Sequence, residues 1–300
     1  MNALYRSLNT SKQAFHQRLD RYLQTMEEEQ QLLPLVYRIR QDHPRLSARQ
    51  MYRMIAPGRM GRDRFEVFCF AHGFKLARVR NFRRTTDSFG VTRFPNLLTD
   101  RELTGVNRVF VSDITYYQLQ NRFYYLTLVM DLYSRFIVGY ASSDSLRTEA
   151  TTLPALKMAL RTRAIEPKLI FHSDGGGQYY CKAFTGLTVE YDIRNSMCES
   201  VYENANAERL NGTIKNDYLL GYAPQTFEQL KTALRRAVRM YNEHRPHAAL
   251  HGLSPAAFEG LLTKTDVVHK RKKEAKKEKD NNHNNNNAKF KNSLKTVNVI

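Results

Sequence analysis

Three acidic residues in this 300-residue chain stand on separate elements from which their carboxylates could converge. Asp113 lies inside the β-rich run VFVSDITYY, where a charge between apolar neighbours must be paired or bound. Asp174 ends an apolar strand just before Gly175, Gly176 and Gly177, residues that permit a close backbone approach. Glu208 falls on the helical stretch Tyr202 to Leu219. Carboxylates converging from separate elements suit hard divalent cations such as Mg²⁺, which prefer oxygen ligands and keep positions for water and phosphate. The chemistry such a set would serve is two-metal cleavage and transfer of phosphodiesters. On the same helix Asn204, Glu208, Asn211 and Lys215 recur at spacings of four, three and four, one polar stripe that would face the site. Lys215 could then reach a DNA phosphate or base edge, or the stripe could be an ordinary solvated face.

The elements that must position these groups follow from periodicity. Val109 to Thr115, Phe123 to Asp131 and Arg135 to Tyr140 read as three consecutive antiparallel strands. Helix Thr148 to Arg163, strand Lys168 to His172, a short helix near Lys182 to Leu187, a brief strand around Ile193 and helix Tyr202 to Leu219 follow, with a further helix from Thr226 to His244. The order βββαβαβα is that of an RNase H-like α/β domain, a mixed five-stranded sheet flanked by helices, with its first strand central and beside the fourth.

Upstream, helical spacing marks a helix from Ser11 to Met26, a second from Gln30 to His43, a third opening at Ser47 and a short one from Gly61 to His72. The basic strip KLARVRNFRR, with Arg78, Arg80, Arg83 and Arg84, comes next. Short helices, tight turns and exposed arginines fit a small all-α helix-turn-helix-like region that binds DNA, and equally any small helical bundle. The reading divides the chain into a helical DNA-binding region (1–84), a linker (85–107), the catalytic core with its C-terminal helix (108–263) and a disordered basic and Asn-rich tail (264–300).

The formal net charge of +18 points to a polyanionic partner, and its placement sharpens the point. Residues 35–94 carry fourteen Lys/Arg against four Asp/Glu and 264–300 eleven against four, whereas 95–263 are balanced at eighteen against seventeen. Basic arms on a neutral body suit nucleic acid. No apolar run approaches the roughly 18 residues of a membrane span, and the start MNALYRSLNTSKQ lacks a signal peptide's apolar block. Three scattered cysteines, Cys69, Cys181 and Cys198, suggest neither a disulfide framework nor a zinc site, which fits a reducing cytosolic setting.

Residues 109–258 resemble the retroviral-integrase-like catalytic core of bacterial insertion-sequence transposases, in particular the second open-reading-frame product (OrfB type) of the insertion sequence three group. The strings that carry the resemblance are FVSDITYY, YYLTLVMDLYSRFIVGY, FHSDGGGQYY, YENANAERLNGTIKNDY and YNEHRPHAALHGLSPAAF, in that order. The segment from SKQAFHQRL through HPRLSARQMYRMI to HGFKLARVR is similar to that family's helical amino-terminal region. The resemblance implies a DDE site with Asp113, Asp174 and Glu208 as catalytic metal ligands and Lys215 at a basic position seven residues on. It implies a transposase or integrase that cuts DNA at mobile-element ends and joins the 3′-hydroxyl strand to target DNA. It further implies two Mg²⁺ ions, with Mn²⁺ as an alternative, double-stranded DNA as partner, a homo-oligomeric synaptic complex, an upstream reading-frame partner or fusion, and a bacterial, nucleoid-associated location.

Asp131, in DLYSR, recurs in the family outside the triad and reads as a turn cap. Two departures concern the loop after Asp174: Gly175 stands where the family often has Arg, and the interval to Glu208 is two residues shorter than is common. His172 reads as a strand histidine or as an orienter of a metal ligand. His244, Arg245 and His247 read as DNA contacts or as packing around Pro246. An inactive or nuclease-only relic of such an element is the alternative function.

Overall fold

The computed structural model describes residues 5, 7, 9–77, 79, 94–99, 101–198 and 204–264. Met1–Pro255 forms one compact unit and Ala256–Ile300 a second, within which residues 256–264 are helical. Among the described residues no helix is long and apolar enough to cross a membrane.

The first unit opens with α1 (Lys12–Asp42), α2 (Ala48–Ile55) and α3 (Arg62–Ala71). Ser11 caps α1 by accepting from Ala14 N, and Ser47 and Gln50 form a reciprocal capping box on α2. The two helices expected over Ser11–Met26 and from Gln30 are one 31-residue helix that carries Pro34 inside it. The apolar rhythm does lapse between Met26 and Leu32, but the residues there are Glu and Gln, good helix formers rather than breakers. Leu32 and Val36 anchor the second half of α1 in a small core with Leu46, Met51, Met60, Phe65, Phe68 and Cys69.

The body is a five-stranded sheet in the order β3-β2-β1-β4-β5, with the first strand central and beside the fourth as expected from the sequence. Strand β1 (Val109–Leu119) pairs antiparallel with β2 (Arg122–Asp131), which pairs antiparallel with β3 (Ile137–Ser143). On its other side β1 runs parallel to β4 (Ile170–Ser173), and β4 parallel to β5 (Arg194–Met197). The β1–β2 hairpin extends past Thr115 because Tyr116 and Tyr117 continue the ladder opposite Tyr125 and Tyr124. Strand β3 begins later than expected, since Arg135 is a left-handed turn residue at φ 63°.

Alternation along β1 sorts the two faces. Val109 and Val111 join Leu126, Leu128 and Met130 in a core covered by α6 (Ala205–Thr213) and α7 (Phe227–His244). Phe110 and Val129 join Phe171 on the opposite face, against α4 (Thr152–Thr162) and α5 (Lys182–Glu190). Gly139 lets α4 lie on β3, since a Cβ there would run into the Ala155 carbonyl. After α6 the chain passes through a π-helical turn, Ile214–Leu219, and one α-turn, Leu220–Tyr222.

Helix α7 is tied to the sheet through Asn242. Its Oδ1 accepts from Ile137 N at 2.9 Å and its Nδ2 donates to Ile137 O at 3.0 Å, beside the register shift at Val129/Met130. Asn242→Ala strands both buried backbone groups. The expected loss is about 1–3 kcal/mol, read as a lower urea midpoint with unchanged denaturant slope.

Candidate active site

The parallel ladder between β1 and β4 spans only Val109 to Val111 against Ile170 to His172. Past that point β4 ends at Ser173 while β1 runs on, so the two strands part at their carboxyl ends. Such a crevice is where open α/β sheets place ligands. Asp113 lies two residues beyond the last ladder pair on β1, and Asp174 directly follows β4. By alternation Asp113 shares the face of Val109 and Val111, the one that α6 covers. Glu208 is exposed in the first turn of α6.

These three carboxylates feel one another. Asp113 is pushed up to about 7, first by burial and then by the charge of Asp174, with Glu208 adding to the effect. The Asn211 amide opposes this by donating to Asp113 Oδ2 at 2.8 Å. Among the described residues no three His, Cys, Asp or Glu side chains are gathered closely enough to hold a metal ion as they stand. Asp174 and Glu208 thus both oppose the charge of Asp113, and Lys215 is a cation that answers it. The amide oxygens of Asn204 and Asn211 are also buried with no hydrogen-bond partner among the described residues.

Around Asp174 the backbone is tightly turned. Asp174 Oδ1 accepts from Gly176 N at 3.1 Å, and Gly175 sits at φ +76°. A Cβ on Gly175 would also run into the end of the Met197 side chain. The glycine that departs from the family's frequent Arg therefore occupies a left-handed position that an L side chain would strain.

Lys215, on the π-helical turn, donates to Thr115 Oγ1 at 3.1 Å and lies 5.1 Å from the centre of the Tyr116 ring. Thr115 is two residues from Asp113 and on the same face, so the ammonium belongs to the rim of the crevice. Burial lowers its pKa and Asp113 raises it. Asn211 is buried and engaged with Asp113. Arg78, Arg80, Arg83 and Arg84 lie outside the described residues.

Sequence reasoning missed the support on the other side of β1. Ser112 shares a 2.9 Å hydrogen bond with the fully buried Tyr179, which packs on Phe171 and Phe184. The Ser112 carbonyl, beyond the ladder with β4, accepts from Asn204 Nδ2 at 3.2 Å. Arg135 donates to Asn206 Oδ1 at 2.7 Å and so ties the β2–β3 turn to the start of α6. Tyr179 lies two residues after the last of the three glycines, but no spacing rule singles it out.

The remaining residues read from sequence have structural partners. Asp131 is fully buried and caps its turn, its carboxylate accepting from the backbone of Asn107, Tyr133 and Ser134 at 2.6, 2.9 and 3.0 Å. His172 is buried against Ser196 Oγ at 2.9 Å. Arg245 is buried in an ion pair with Asp217 at 2.6 Å, and His247 packs edge-on against Tyr241. His244 stays half exposed beside Glu243.

A five-stranded mixed sheet with crowded carboxylates where its parallel strands part defines an RNase H-like integrase core. Family models described as "Integrase core domain" match residues 104–201 and 191–255. A 31 kDa protein of insertion element IS600 from Shigella sonnei is 34% identical over 204 residues, which cover 66% of this chain and 75% of that protein. Transposase InsF of insertion sequence IS3A from Escherichia coli K12 is 32% identical over 168 residues, 55% of this chain and 58% of InsF. The HTLV-2 integrase catalytic core, solved in complex with magnesium, is 22% identical with a TM-score of 0.42, covering 51% of this chain and 95% of that one. The chain belongs to the family of insertion-element transposases with an integrase core.

Because Asp113 is raised above its unfolded value, the metal-free fold binds a proton there that the unfolded chain gives up. This contribution to stability is complete below about pH 4 and disappears as pH rises to about 7. Metal-free wild type should therefore lose thermal stability from pH 5 to pH 8, and Asp113→Asn should flatten that decline. Parallel melting profiles of the two proteins would contradict the assigned environment.

Proposed function

We propose that this chain is a DDE transposase that cuts DNA at the ends of a mobile element and joins the freed 3′-hydroxyl strand to target DNA, with Asp113, Asp174 and Glu208 as its catalytic carboxylates. The observation that carries the assignment is Asp113, held in the middle strand and charge-crowded by carboxylates from two other elements. Hard oxygen donors such as these carboxylates fit divalent cations such as Mg²⁺. A pair of such ions would polarise the scissile phosphate and ease deprotonation of the attacking hydroxyl.

The chain's own residues then divide the work. Asp113, Asp174 and Glu208 would hold the cations, and Asn211 donates to the Asp113 carboxylate from the same helix that carries Glu208. We read Asn211 as a positioning residue and Lys215 as the group that meets a DNA phosphate at the rim. The amino-terminal helices and the strip bearing Arg78, Arg80, Arg83 and Arg84 would supply phosphate contacts with strong salt dependence. Cleavage and joining use one site in succession, since each exchanges one oxygen for another on phosphorus. Joining conserves the number of phosphodiesters and needs no external energy source. A homo-oligomeric synapse with duplex element ends and target, and an upstream reading-frame partner, belong to the same proposal.

Alanine at Asp113, Asp174 or Glu208 should each lower cleavage and joining of element-end DNA in Mg²⁺ by on the order of 10³-fold, about 4 kcal/mol of barrier. Mobility-shift binding should persist in all three. Activity surviving all three substitutions would sink the assignment, and cleavage without any joined product would make the chain a nuclease only. Mg²⁺ should also raise the melting temperature of wild type at pH 8 and leave Asp113→Asn unmoved.

A further inference from the structure

Among the described residues the amino-terminal half of α1 meets Tyr5 through Phe15 and His16, and its apolar side chains beyond His16 stay exposed. Every residue from His16 to Gln24 is exposed, and the anchored part of the helix begins only at Leu32. Along this stretch Leu19, Tyr22, Leu23 and Met26 are 40, 60, 53 and 40% exposed, at spacings of three, one and three. Those spacings make one continuous apolar stripe on a single face. A helical segment of this length standing alone in water is marginal, and a stripe of large apolar side chains along it is ordinarily covered.

The charges flanking the stripe say what covers it. Lys12, Arg18 and Arg21 lie in the amino-terminal part of the segment against a single acid, Asp20, and Glu27, Glu28 and Glu29 follow the stripe. Arg18 and Glu29 are eleven residues apart, three helical turns, and so lie on the same flank. A second copy of α1 running in the opposite direction, about a two-fold axis near Leu23, would lay stripe on stripe. It would also bring Arg18 of each copy to Glu29 of the other. A copy running in the same direction would set arginines beside arginines and glutamates beside glutamates. Among the described residues Glu29 pairs with Arg64 at 3.6 Å and keeps 37% of its side chain exposed.

We propose that residues 12–30 form a self-association surface whose occupant is the same segment of a second copy of this chain, paired antiparallel. The surface is independent of the carboxylate crevice, so this inference and the catalytic assignment can fail separately.

The test uses the full chain. Light scattering across micromolar concentrations should show a dimer or larger assembly, and Leu19→Glu with Leu23→Glu should lower that state while leaving far-ultraviolet circular dichroism unchanged. These side chains are exposed, so loss of fold is not expected to obscure the result. Direction is read by disulfide trapping in a Cys181→Ser background, in which Cys69 and Cys198 are buried. Leu19→Cys and Met26→Cys proteins carrying different tags should form the mixed disulfide in preference to either homodisulfide. A monomer at all concentrations, an assembly indifferent to the glutamate pair, or a predominance of homodisulfides would each overturn the proposal.

Discussion

The rest of the structure is arranged around a carboxylate in the middle strand of the sheet. Asp113 is unfavourable in isolation, since burial and two other carboxylates all oppose its charge. What makes the position tenable is the early end of β4, which opens a crevice beside β1 instead of continuing the ladder. Asp131 shows the other outcome for the same residue type. It is more deeply buried, yet three backbone N–H groups meet its carboxylate and it serves the turn. One aspartate is met by three backbone donors, while the other has the Asn211 amide against two repelling carboxylates.

Much of this was legible in sequence because two periodicities are strong. The alternation in VFVSDITYY and the apolar run through YYLTLVMD mark adjacent strands, and the turn residues between them fix their pairing. Asp113 stood out as a charge inside such a run, and Asp174 as an acid before glycines. The spacing of Glu208, Asn211 and Lys215 predicted one helical face, and Asn211 and Lys215 do meet β1 at Asp113 and Thr115. The failures have equally physical causes. The single long α1 was hidden because its apolar spacing lapses over residues 27–31, where Glu and Gln carry the helix on without apolar side chains. Tyr179 was invisible as a site support because it acts on a residue distant in sequence, Ser112, whereas Asn204 was read on the polar stripe and only its partner, the Ser112 carbonyl, was not foreseen.

The π-helical turn at Ile214–Leu219 was not foreseen either, and it explains how the helix bearing Glu208 is held. At its start, Asn204 and Arg135 with Asn206 fasten α6 to β1 and to the β2–β3 turn. Past its end the wider turn directs Asp217 and Tyr218 into a buried cluster, where Arg245 pairs with Asp217 and His43 shares a 2.9 Å hydrogen bond with Tyr218. Burial, then Arg245, drives the His43 pKa down to about 4, so this imidazole stays neutral over the physiological range.

The same cluster is where the amino-terminal helices meet the core. Arg45 N donates to Asp217 O at 3.2 Å, Tyr222 to Asp42 O at 2.6 Å, and Arg236 to the Asp42 carboxylate at 2.9 Å. Pro44 lies so close to Gly221 that a Cβ there would run into it. The helix carrying Glu208 and the turn carrying Lys215 are therefore fixed at one end by the sheet and at the other by the amino-terminal region. These joints are hydrogen-bonded and close-packed rather than a loose apolar contact, so a displacement of α1 and α2 cannot be absorbed locally without breaking them. The amino-terminal region and the element that carries Glu208 are thus joined through the same buried cluster of Asp217, Tyr218 and Arg245.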